Sequence, residues 1–211
     1  MIAHLFKALP MTIILTGCAN GIPDITSEKP EAVVRRTRKM FVGVPVLLSM
    51  EGSFVALDDK YAVTVAHNKA ILDFQNKEYW IHPTCDIAVF RNDSDETANV
   101  GLVYKGEAIY HSGYPIGLPM AYNEGSYTGE VDMNDRKGCT QSLTSSVIMQ
   151  GMSGGGAWNS KGELVGVNVG YTNYVTFPDG SIQESPGVFQ SLYGVKDWLK
   201  EVTGNDYFNG R

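Results

Sequence analysis

Basic residues are in short supply. Lys and Arg together number 17 against 23 Asp and Glu, a formal net charge of −6, so no global basic field is present to hold a nucleic-acid backbone. The one basic run, Arg35-Arg36-Thr37-Arg38-Lys39, reads as a solvated entry to the folded domain. The sequence has no apolar run near the roughly 20 residues that a permanent membrane helix needs. It has no tandem repeat and no low-complexity tract. Cysteines number three, with no Cys-x-x-Cys and no helical His pair, so a zinc site is not expected. Helical periodicity is scarce too. It is confined to Tyr193 to Val202, where Val195, Trp198, Leu199 and Val202 share one face.

What is present is an ordinary core-forming composition. With 211 residues, 43% of them hydrophobic and 19% charged, the chain can bury one large domain or two small lobes sharing a cleft. At the N-terminus Lys7 precedes Ala8 to Gly17, an almost wholly apolar or small stretch that is too short to span. It ends in Leu15-Thr16-Gly17-Cys18, which resembles the bacterial lipobox. That resemblance implies residues 1–17 as a lipoprotein signal, lipid on Cys18, and an exported domain anchored to the cell envelope, by default at the outer membrane. Residues 18–39, with Gly21, Pro23, Asp24, Ser27 and Pro30, read as a flexible tether. Cys85 and Cys139 remain, and an exported domain permits either a disulfide or two buried thiols.

Short β-like runs fill most of the rest. They include Phe41 to Leu48, Gly52 to Leu57, Tyr61 to Ala66, Asp86 to Phe90, Ser145 to Gln150, Glu163 to Val169 and Gly187 to Gln190. Such spacing argues for a barrel or sandwich. Asn, Asp, Ser and Gly cluster between Asp93 and Gly106, placing a lobe boundary near there. The lobes are then 40–105 and 106–211.

Three fragments carry chemistry. Gly151-Met152-Ser153-Gly154-Gly155-Gly156 surrounds a serine with residues that permit a sharp turn and close backbone approach. His67 closes the apolar run Thr64-Val65-Ala66, and imidazole can take and return a proton near neutral pH. Asp86 opens the apolar run Ile87-Ala88-Val89-Phe90, where a carboxylate would be buried and need a partner.

Together these fragments resemble the trypsin-like serine peptidases. Val65-Ala66-His67 is similar to their Ala-Ala-His. His82-Pro83-Thr84-Cys85-Asp86-Ile87-Ala88-Val89 is similar to their His-Pro-x-x-Asp-Ile-Ala-Leu, and Gly151 to Gly155 to their Gly-x-Ser-Gly-Gly. Pro186-Gly187-Val188-Phe189 and Val195-Lys196-Asp197-Trp198-Leu199 resemble a later strand and the closing helix. The resemblance implies an all-β fold of two six-stranded antiparallel barrels with a C-terminal α-helix. It implies a triad of His67, Asp86 and Ser153, an oxyanion hole from the N–H groups of Gly151 and Ser153, and a protein or peptide substrate cut through an acyl-enzyme with no metal or organic cofactor. By motif offset the first substrate pocket would be lined by Val147, Ile148, Asn168, Val169, Gly170, Tyr171 and Gly187. None is charged, which points to an apolar or small side chain. Asn168 would stand in for a hydroxyl that supports the aspartate in many relatives. Met152 occupies the place of an Asp that pairs with a newly cut N-terminus. No activation by such an ion pair is therefore expected, and trimming 19–39 should leave activity unchanged. The same sequence admits an inactive scaffold that binds protein partners, or an esterase or amidase.

Overall fold

The computed structural model describes residues 19–44, 48–132 and 138–209. The expected signal 1–17 and Cys18 lie outside them. In the first lobe, β1 (Thr37–Val44), β2 (Leu48–Ala56), β3 (Tyr61–Thr64), β4 (Tyr79–Ile81) and β5 (Ala88–Arg91) form one antiparallel sheet in the order β1-β2-β3-β5-β4. Every residue of Tyr61-Ala62-Val63-Thr64 is buried, as a central strand between two neighbours requires. Five strands, not six, make up this sheet among the described residues. The short stretch between His67 and Asp86 is occupied by a helix, α2 (Lys69–Phe74), and the three-residue β4.

The second lobe is a closed six-stranded barrel. It is built from β6 (Ala108–Gly113), β7 (Ala121–Asp132), β8 (Thr140–Thr144), β9 (Gly156–Asn159), β10 (Leu164–Tyr171) and β13 (Gly187–Ser191), in the order β10-β13-β8-β7-β6-β9. A ribbon of β11 (Tyr174–Thr176) and β12 (Ile182–Glu184) projects from it. The run Ser145 to Gln150 is not a strand; pairing stops at Thr144, and Ile148 and Met149 are buried without a ladder. After a 3₁₀ turn, α3 (Lys196–Thr203) buries Leu199 and ends at Gly204, whose positive φ of 77° lets its N–H close onto Lys200 O at 2.9 Å. The fold is thus mostly β, a closed antiparallel barrel beside a second sheet with a C-terminal helix, consistent with the trypsin-like double barrel.

Residues 19–39 are not a loose tether. Residues 19 to 24 are bonded to the second lobe, with Ala19 bridged to Met149 and the Asp24 carbonyl accepting from Tyr122 N at 2.9 Å. A short helix, α1 (Glu31–Arg36), follows and buries Val33 completely before β1 begins. Of the polar residues that suggested a linker, Asn20 bonds to Ser146, Ile148 and Ser185 of the barrel, while the Asp24 carboxylate accepts from Thr26 and Ser27 in its own turn.

The lobes are tied at several points. Cys85 of the first is disulfide-bonded to Cys139 of the second, with Cα atoms 5.2 Å apart. Thr37 and Ser112 share a hydroxyl hydrogen bond of 2.8 Å. Past α3 the chain reaches back, and both Asn205 and Tyr207 donate to the Asp58 carboxylate in the β2–β3 turn.

Candidate active site

His67 lies in a single 3₁₀ turn, Ala66–Asn68, that ends the central strand β3. Its backbone N–H donates to Asp86 Oδ1 at 3.0 Å, and its ring Nδ1 meets Asp86 Oδ2 at 2.7 Å. The aspartate is 2% exposed and the imidazole side chain 45% exposed. A carboxylate acceptor fixes the ring proton on Nδ1, so Nε2 is left as the basic nitrogen.

Ser153 sits on the loop between β8 and β9. Its hydroxyl donates to the carbonyl of Val169 on β10 at 3.0 Å and not to His67. Transfer of that proton to His67 therefore requires the hydroxyl to turn away from Val169. Its own carbonyl is held by the first lobe, accepting from Ser53 N at 2.8 Å and Asn68 Nδ2 at 3.1 Å. Asn68 also donates to Thr64 Oγ1, and that hydroxyl donates to Ser53 O at 2.7 Å. One network thus joins the histidine turn to the serine loop.

The glycines make this approach possible. Gly154 has φ of 87°, and a Cβ there would lie 2.0 Å from Ser53 O and 2.1 Å from Thr64 Oγ1. Gly151, with φ of 92°, would likewise strike Tyr114 O and Ile116 N. The carbonyl of Gln150 accepts from Ile116 N at 3.0 Å, and that of Met152 from Gly155 N at 2.9 Å. In a trans peptide the N–H opposes the carbonyl, so the N–H groups of Gly151 and Ser153 are turned the other way. Neither donates to an acceptor among the described residues. Ser53 adds a further constraint by donating from Oγ to Gly151 O at 2.9 Å.

The expected pocket residues are only partly brought together. Ile148 is fully buried, and its Cδ1 would lie 3.2 Å from a Cβ at Gly187. Val147, Val169, Gly170 and Tyr171 are partly exposed. Asn168 is neither a pocket wall nor a support for Asp86. It is completely buried, accepts from His111 Nδ1 at 2.7 Å, and donates to Ser112 O at 2.9 Å and Met152 O at 3.4 Å. The sequence assigned no role to Ser53 or Asn68, although Asn68 had a signal as the neighbour of His67. His111, which the sequence offers as a rival to His67 for the base, is instead buried.

His111 is wholly buried, and with the Asn168 oxygen facing Nδ1, its Nε2 has no partner among the described residues. Burial pushes its pKa down to about 4, only partly opposed by the Asn168 bond. Because the folded value lies below the unfolded value of about 6.5, the unfolded chain binds the proton more readily between those limits. Stability is therefore complete above about pH 6.5 and falls as pH drops toward 4, by on the order of 3 kcal/mol. Urea titrations across that window should show the loss, and His111→Gln should flatten it.

Among the described residues no three His, Cys, Asp or Glu side chains are grouped to hold a metal ion, and no helix is long and apolar enough to cross a membrane. No family model and no curated protein matches the chain. Solved structures do. The MamO protease domain from Magnetospirillum magneticum superposes with a TM-score of 0.59 at 15% identity, over 80% of this chain and 98% of that one. An inactive mutant form of Rv3671c from M. tuberculosis gives 0.61 at 15% identity, over 86% and 96%. The HtrA-type protease AlgW with a decapeptide gives 0.58 at 16% identity, over 81% of this chain, which spans 66% of AlgW. The chain has the fold of the trypsin-like serine proteases, and the solved structures it resembles include an HtrA-type protease and a protease domain.

Proposed function

We propose that the chain is a serine endopeptidase, exported and anchored to a bacterial envelope through lipid on Cys18. The observation that carries the catalytic part is the two-point hold of Asp86 on His67, which leaves Nε2 as the bare ring nitrogen in a turn that Asn68 bonds to the Ser153 carbonyl. In this reading Nε2 removes the Ser153 proton as Oγ attacks the peptide carbonyl. Asp86 stabilises the imidazolium, and the N–H groups of Gly151 and Ser153 take the oxyanion. His67 then protonates the leaving amine, and water enters by the same route to release the acyl group. The uncharged surroundings of Val147, Gly170 and Tyr171 suit an apolar or small side chain at the cleaved bond. The anchor rests on Leu15 to Cys18 and Ala19 alone.

The bond from Ser153 to Val169 favours a second reading, an old active site that binds a protein partner without cutting it. A fluorophosphonate probe separates the two. Label on Ser153, read by mass spectrometry and abolished in His67→Ala, supports the peptidase; a folded chain that takes no label supports the binding module.

A further inference from the structure

The run Ser145 to Gln150 leads into the serine loop with no strand beside it, so its buried backbone groups need other partners. Two asparagine side chains supply them. Asn20 donates from Nδ2 to Ser146 O and to Ser185 O, both at 3.0 Å, and its Oδ1 accepts from Ile148 N at 2.7 Å. From β7, Asn123 donates from Nδ2 to Val147 O at 2.8 Å, and its Oδ1 accepts from Asp24 N at 2.6 Å. Asn123 thus grips the run with one end of its amide and the N-terminal segment with the other.

Apolar packing follows the same line. Ile148, Met149 and Met152 form a buried cluster with Ala121, and Ala19 and Ile25 of the N-terminal segment pack against it. Met152 immediately precedes Ser153. Gly21 completes the fit, since a Cβ there would lie 2.6 Å from Val147 Cγ2.

We infer that Asn20 is a positioning residue for the nucleophile loop, acting from a strap, Ala19 to Ser27, that locks 146–152 in the arrangement the oxyanion hole needs. This rests on Ser153 being the nucleophile. It implies, against the expectation stated above, that trimming 19–39 would lower activity. Met152 removes the possibility of an ion pair, but a neutral amide and an apolar contact occupy the same role without one. The strap needs no newly cut terminus.

The test uses the full chain with Asn20→Ala, which loses all three bonds, and Asn20→Asp, which keeps an acceptor for Ile148 N but cannot donate to the two carbonyls. Two quantities are read: the rate of Ser153 labelling by a fluorophosphonate, per folded molecule by near-UV circular dichroism, and hydrogen exchange at 146–152. Asn20→Ala should label on the order of 10²-fold more slowly, with kcat on a peptide substrate falling more than KM rises. The Ile148 amide should lose its protection, and Asn20→Asp should retain part of it. Unchanged labelling per folded molecule would overturn the inference, as would an Ile148 amide that exchanges equally fast in the unsubstituted chain. If the unsubstituted chain takes no label at all, the peptidase reading fails first, whatever the exchange shows.

Discussion

Asp86→Asn is expected to lower kcat/KM by about 10³- to 10⁴-fold while the chain remains folded. Only a carboxylate accepts from both the His67 N–H and the Nδ1–H, at 3.0 and 2.7 Å. An asparagine amide can keep one of those bonds, but its NH₂ then faces Nδ1 as a donor. The ring answers by moving its proton to Nε2, the position that must be bare to receive the serine proton. Steady-state kinetics on a peptide ester, with thermal melting as the control for folding, would decide it. Activity close to that of the unsubstituted chain would mean that Asp86 does not set the tautomer.

Cys85→Ser combined with Cys139→Ser is expected to cost about 4 kcal/mol of stability, from the chain entropy of opening a loop across 54 residues. For a domain of this size that corresponds to a fall in Tm of roughly 10 °C. Both sulfurs are nearly inaccessible, at 6% and 1% residue exposure, so mild reductants should act only as the chain opens. The cross-link also sits one residue from Asp86, and activity is expected to fall along with stability. Calorimetry of the paired variant provides the check; an unchanged Tm would show that the other inter-lobe bonds suffice.

The pairing of His67 with Asp86 and the glycine-flanked turn of Ser153 were legible because their signals are local. A histidine after an apolar strand, an aspartate before one, and a serine among glycines each need only a few neighbouring residues. The closing helix was legible for the same reason, through Val195, Leu199 and Val202. What escaped was set by distant pairs. Val147-Ile148-Met149 has the composition of a strand, but Val147 O and Ile148 N are bonded by the side chains of Asn123 and Asn20, the latter over a hundred residues away. The segment 19–27 has the composition of a linker because Asn, Gly, Pro and Asp serve docking to a backbone as well as they serve solvation. Asn168 was misplaced because an offset along a motif does not reveal which face of β10 a residue occupies. The pairing of Cys85 with Cys139 was left open because it depends on two loops from different lobes.

The strap also bears on reach. Ala19 is paired with Met149, which stands four positions before Ser153. If Cys18 carries lipid as proposed, a single residue, at most about 3.6 Å of extended chain, separates the acylated position from the catalytic lobe. A domain on a long leash sweeps a volume above its membrane and meets soluble chains there. This one would stay close to the bilayer surface, so its encounters would be two-dimensional.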